Sequence, residues 1–197
     1  MKWFLSNLGT ISNLTFLVLI LVGLGSCREQ GFLTPPTQNF GSTLNSVVAD
    51  QQPRYSYDGR YLVFTSDRLS QRRVFLYDVP NKRLIDLPGL NPPNSIQDQP
   101  DISADGRYIV YISEQRGKPD VFVYDRQSFE SEVITENLLA EVRHPTISGN
   151  GRFVAFESNR SGQWDIEIYD RGSNIEQSLP RPQQPTQVPV SPPPANP

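Results

Sequence analysis

His144 and Cys27 are the chain's one histidine and one cysteine. Histidine is the commonest general base near neutral pH, and serine or cysteine is its usual nucleophilic partner. One of each excludes an internal disulfide and a Cys/His metal cluster within one chain. Ser56, Ser103 and Ser148 have a nucleophile's chemistry, yet they recur in matching contexts. A residue repeated with the architecture is expected to bond its own turn. Asp78, Asp125 and Asp170 recur as well and read as turn formers. "SADG" is not the strained G-x-S-x-G elbow of hydrolases. Neither a D-x-D-x-D-G calcium loop nor a phosphate-cradling glycine loop occurs. The expectation is no catalytic residue, no metal and no cofactor. A net charge of −3 supplies no basic field for nucleic acid.

The elements that carry these residues repeat. "PRYSYDGRYLVFTS" (53–66), "PDISADGRYIVYIS" (100–113) and "PTISGNGRFVAFES" (145–158) align at Pro, Ser, Gly and Arg. "VFLYD" (74–78), "VFVYD" (121–125) and "IEIYD" (166–170) follow at the same offsets. A period of this size signals propeller blades or a similar array. Asp58-Gly59, Asp105-Gly106 and Asn150-Gly151 favour tight hairpins with positive φ at both central positions. The strand after each turn is apolar on both faces, so it must be covered on both sides. Pro53, Pro100 and Pro145 open the first strand of each copy, where a missing N–H does least harm. A third strand ends in Tyr-Asp. A weaker fourth is expected at Arg83–Leu87, at Glu132–Thr135 and around Ile175–Leu179. The predicted fold is all-β: a partial β-propeller of three four-stranded antiparallel blades, about 49–90, 91–138 and 139–180.

The repeated "S-x-D-G-R-Y" and "V-F-x-Y-D", with "SNRSGQWDI" in the third copy, resemble the blade repeat of the TolB-type propeller over about residues 50–180. The resemblance implies an exported protein of the Tol-Pal kind at the cell envelope. Such blades also occur beside peptidase domains and in polysaccharide-degrading enzymes. Three blades depart from the four to eight that close a propeller, and the adaptor domain expected before the blades is missing.

An open blade face must be covered or made polar. Glu157 stands where Thr65 and Ile112 stand, and Glu167 where Phe75 and Phe122 stand. Alternation puts Val154, Phe156, Ile166 and Ile168 on one face, and Phe153, Ala155, Glu157 and Glu167 on the other. A polar outer face predicts that the third blade is a cap. The rival is a homodimer, two three-blade halves forming a six-blade ring.

The ends read differently. "FLVLILVGL" (16–24) behind Lys2 and ahead of "LGSC" reads as a secretory signal over 1–26, too short for a comfortable span. "LGSC" resembles the bacterial lipoprotein box, which implies acylation of Cys27 and attachment of the mature chain to a membrane. Residues 27–48 read as a lipid-anchored tether, with Phe32, Leu33 and Phe40 expected to lie on the first blade. Residues 181–197 read as a disordered, Pro-rich tail.

Loops at one propeller face are the expected binding surface. They carry Asp50, Asp98, Arg143 and His144 before the first strands. Asp67, Arg68, Arg116, Arg160 and Trp164 lie between the second and third strands. Trp164 is either an aromatic anchor or packed under its own loop. Mixed charge with an aromatic suits protein recognition. The expected function is non-enzymatic: an envelope lipoprotein, periplasmic or facing the envelope, that binds an envelope protein or a cell-wall polymer. A carbohydrate-binding module or a polysaccharide-processing enzyme component is the alternative.

Overall fold

The computed structural model describes residues 43–178. The leader (1–26), Cys27, most of the tether with Phe32, Leu33 and Phe40, and the 181–197 tail lie outside the described residues. The described chain is all-β. The first blade orders β1 (Asp50–Tyr55), β2 (Tyr61–Ser66), β3 (Arg73–Asp78) and β4 (Arg83–Ile85) side by side. The second orders β5 (Gln97–Ile102), β6 (Tyr108–Ser113), β7 (Asp120–Asp125) and β8 (Glu130–Val133). The third has β9 (Val142–Ile147), β10 (Phe153–Ser158) and β11 (Asp165–Asp170). All pairs are antiparallel. The fourth strand expected around Ile175–Leu179 does not pair among the described residues. Ser178 instead donates its N–H to Asn150 O (3.1 Å) and its hydroxyl to Gly149 O (2.8 Å).

Each turn is built by its serine. Ser103 Oγ donates to Asp105 Oδ1 (3.1 Å) and accepts from Tyr108 N–H (2.9 Å). Ser56 and Ser148 repeat this with Asp58 and Tyr61, and with Asn150 and Phe153. The turns are not the two-residue type expected. Only the glycines take positive φ, +69° at Gly59, +78° at Gly106 and +79° at Gly151, while the Asx side chains bridge the turn. A four-residue loop closed by a serine–Asx pair leaves a single position in the left-handed region. The recurring arginine and aspartate then brace the start of the second strand against the end of the third. Arg107 holds Asp125 (3.1 and 2.9 Å), and Arg152 holds Asp170 (2.7 and 2.6 Å).

Blades stack through aromatic residues. Val63, Val74 and Leu76 of the first blade meet Ile109, Tyr111, Phe122 and Tyr124 of the second, with Leu90 sealed between them. Val110, Ile112, Val121 and Val123 of the second meet Val154 and Phe156 of the third. Tyr61 lies so close to Gly106 that a Cβ there would stand 2.4 Å from its ring, and Tyr108 relates to Gly151 in the same way at 2.3 Å. Arg126 stacks over Tyr61 (4.4 Å) and bonds Gly106 O (2.7 Å). Arg171 does the same over Tyr108 (4.4 Å) with Gly151 O (2.7 Å).

The third blade corrects the predicted faces. Val154 pairs with Tyr169, Phe156 with Glu167, Ala155 with Ile168 and Glu157 with Ile166. Paired residues share a face. Glu167 therefore faces the second blade, while Ile166 and Ile168 join Phe153, Ala155 and Glu157 on the open side. Alternation assigns faces within each strand separately, but the register opposes residues of different parity. The outer face is only partly polar.

Two outcomes follow. Gly106→Ala adds a clash with Tyr61 to the strain of positive φ, and is expected to cost about 2–4 kcal/mol. Urea unfolding followed by tryptophan fluorescence checks this; a loss below about 1 kcal/mol would contradict the junction geometry. The Arg152 hydrogen bonds hold the Asp170 carboxyl down to about 2 against an ordinary 3.8. A carboxyl with a lowered folded pKa stabilises above its unfolded pKa and loses that contribution as pH falls through the folded value. Melting curves of wild type and Asp170→Asn should therefore differ above about pH 4 and converge toward pH 2.

Candidate functional site

The strand register brings the nine predicted residues to one end of the blades. β1, β5 and β9 start beside the β2–β3, β6–β7 and β10–β11 connections, as Asp50–Ser66, Gln97–Ser113 and Val142–Ser158 pairing shows. Their roles differ. Arg68 is nearly buried and bonds Thr43 O (2.9 Å), Leu44 O (2.8 Å) and Asp50 Oδ1 (2.6 Å). Its guanidinium also covers Phe75 (4.8 Å) and Phe64 (5.3 Å). Burial pushes the Asp50 carboxyl up, but hydrogen bonds from Ser66, Arg68 and Ser46 outweigh it and hold the group below its usual range. Asp50 and Arg68 thus clamp residues 43–46 onto the first blade.

The other seven remain at the surface in opposed pairs. Arg72 bridges Asp67 and Asp98 (both 3.4 Å) beside a cavity of about 670 Å³ that Glu114 also lines. Asp98 Oδ1 is buried and has no hydrogen-bond partner among the described residues. Arg116 reaches Glu136 (3.0 Å) and Asp120 (3.7 Å). Arg160 reaches Glu167 (2.9 Å). Arg143 meets Glu157 at 2.6 Å and lies over the Trp164 ring at 3.7 Å. Trp164, in the β10–β11 connection, thus sits beneath an arginine of β9. His144 Nδ1 is 3.1 Å from Glu157 Oε1. Hydrogen bonds with Arg143 and His144 hold the Glu157 carboxyl below its usual range.

Gln52 and Gln99, which the sequence reading passed over, join His144 at the inner-strand cavity. Gln52, Gln99 and His144 each precede the repeated proline, and each takes positive φ: +56°, +51° and +50°. These bulges re-aim side chains inward, as bulges commonly do beside binding sites. Gln99 N–H donates to Gln52 Oε1 (2.8 Å), and His144 N–H to Gln99 Oε1 (2.5 Å). The side chain of one blade thus caps the backbone of the next. Thr146 Oγ1 donates to Asp101 Oδ2 (2.5 Å) in the same direction. With Arg54 these residues line a cavity of about 330 Å³. The signal was the recurring residue before proline. The cavity offers amides, a guanidinium, a carboxylate and an imidazole, a set suited to holding polar groups. The recurring serines are spent on their turns, and among the described residues no group of His, Cys, Asp and Glu is placed to hold a metal ion.

Antiparallel blades stacked face to face, with inner strands bulged toward a shared cavity, define a β-propeller repeat protein. The chain belongs to the TolB beta propeller domain family, whose profile matches residues 38–193. TolB from Acinetobacter baumannii is similar at a TM-score of 0.53 and 20% identity, over 67% of this chain and 32% of that one. A putative TolB from Agrobacterium tumefaciens is similar at 0.51 and 22% identity, over 66% of this chain and 47% of that one. The likeness is one of fold, and the chain spans about a third to a half of those structures. No curated protein matches it by sequence.

Ser103→Ala leaves Tyr108 N–H and Asp105 without their shared hydroxyl in a buried turn. It should cost roughly 1–3 kcal/mol in urea unfolding. An unchanged midpoint would argue that the hydroxyl is held for something other than its turn.

Proposed function

We propose that the chain is a non-enzymatic, exported envelope protein that binds a protein partner through this loop end, held at a membrane by acylated Cys27. One observation carries the reading: Arg143, Trp164, His144 and Glu157 form a single half-exposed cluster beside the inner-strand cavity. An aromatic ring under a guanidinium, ringed by opposite charges, is the composition of a protein-binding hot spot. The arginine already covers a face of Trp164, which disfavours a sugar ring stacking there and ranks the carbohydrate-binding alternative lower. Membership of the TolB propeller family supports an envelope setting.

The test is a photo-crosslinking residue at Gln163, beside the cluster, in cells that make the full chain. The expected result is an adduct of defined mass. Arg143→Ala and Trp164→Ala should each reduce it about tenfold, as loss of one hot-spot contact does. Co-sedimentation with isolated wall polymer but no protein adduct would overturn the protein-partner reading. Labelling the chain with radioactive palmitate, with Cys27→Ser as control, tests the anchor separately.

A further inference from the structure

We infer that the two end faces of the blade array meet head to tail in a second copy of this chain, closing two three-blade halves into one six-blade ring. The two internal junctions are the template. At each, an aromatic residue of one blade sits on a glycine of the next. Gly106 and Gly151 are occupied in this way, whereas Gly59 is exposed and a Cβ there would meet nothing within 4 Å. Phe153, the third blade's counterpart of Tyr61 and Tyr108, is exposed. One copy therefore presents the knob and a second copy the matching hole.

The remaining face residues agree. Ile166 and Ile168 are 68% and 71% exposed, while their counterparts Val121 and Val123 are 0% and 1% exposed at the internal junction. On the first blade Tyr55 is 62% exposed, against 6% for Ile102 and 8% for Ile147 in the same position. Leu44 lies on that face and is only partly buried, whereas Leu90, two residues past Pro88 and packed between blades, is fully buried. The third blade thus exposes apolar residues that the interior junctions bury; on the first blade Tyr55 and Gly59 are exposed, while Leu62, Phe64 and Tyr77 are buried, with Leu44 packed against them and Arg68 over Phe64.

The polar substitutions also fit a junction between these two ends. Arg126 and Arg171 stack on the tyrosines of the preceding blade. The corresponding residue of the first blade is Val79, and the aromatic it would meet is Phe153, so arginine-on-tyrosine is replaced by valine-on-phenylalanine. Tyr57 N–H donates to Ala104 O (3.0 Å) and Ala104 N–H to Gly149 O (3.0 Å), a ladder that runs from turn to turn. Its continuation from Gly149 is the turn of a first blade. Unlike faces meeting in this way make a heterologous interface, which closes when the rotation allows. Closure also completes the wall of the cavity lined by Gln52, Arg54, Gln99, Asp101, His144 and Thr146. The inference rests on the preceding reading only for that consequence.

The test is native mass spectrometry of the full chain in detergent across a concentration series, with Ile168→Glu and Phe153→Ala as variants. A dimer is expected, weakened about 100-fold by Ile168→Glu, as loss of a central contact does. Urea unfolding of that variant verifies that its blades remain folded. In a Cys27→Ser background, the double variant Tyr57→Cys/Gly149→Cys should give a covalent dimer with a short bis-maleimide. A monomer at every concentration overturns the inference. So does a dimer that cross-links through Gly149→Cys alone, because like faces then meet, and so does a ladder of larger species, because the array then stays open. A ring without a partner adduct refutes the partner reading alone; an adduct from a monomer refutes the ring alone.

Discussion

A blade whose middle strands are apolar on both faces must be covered twice, and everything else in this protein follows from how that is done. The device is an aromatic ring laid on a glycine of the next blade and closed from above by that blade's arginine. Gly106 meets two demands together. Its φ of +78° suits the turn, and its missing Cβ leaves room for Tyr61. Arg126 then joins the two sides, stacking on the ring and bonding the glycine's carbonyl. The Asp-Gly-Arg-Tyr repeat is thus a junction motif. Its Asp closes the turn, its Gly receives a neighbour's ring, its Arg braces a strand end and its Tyr reaches the next blade.

The same coupling shapes the loop end. Because blades are joined edge on at their inner strands, the residue before each proline lies next to its equivalent one blade on. The bulge frees that residue's N–H from the strand ladder, and the amide oxygen of the preceding blade takes it up. The amide oxygens of Gln52 and Gln99 are therefore spent on alignment, which leaves their NH2 groups to the cavity. His144 stands third in the series and turns its ring toward Glu157. Arg143 holds the same carboxylate and stacks on Trp164, so the departure from the Gln-Pro pattern coincides with an exposed aromatic–arginine pair at this end.

The number of blades, their turns and their doubly buried strands were legible because repetition converts weak local signals into strong ones. The serines and aspartates that recur were also readable as turn chemistry, and the hydrogen bonds place them there. What was not legible depends on register. Two-residue alternation assigns faces within a strand, but only the length of the Asn159–Trp164 connection decides which face of β11 lies with which face of β10. That parity moved Glu167 inward and Ile166 and Ile168 outward. The role of Arg68 was hidden for a related reason. Its partners are backbone carbonyls of Thr43 and Leu44, and no side-chain pattern announces a carbonyl. The Gln-Pro and His-Pro bulges left a visible trace, the residue before proline, but their left-handed backbone shows only in three dimensions.

Whether Glu157 caps the array can be weighed from its neighbours. A cap keeps water against the outer face of a terminal repeat. Glu157 is one carboxylate at the end of the strand, and it is turned toward Arg143 and His144 at the loop edge. The centre of the face is held by Ala155, Ile166 and Ile168, with Glu157 paired to Ile166 at its edge. Fully burying an aliphatic side chain of this size is worth about 1.5–3 kcal/mol. Two exposed isoleucines beside an exposed phenylalanine therefore outweigh what one exposed carboxylate gains from water. Glu157 marks the rim of the face, where it pairs with Arg143 and His144. The middle of the face keeps the composition of a junction.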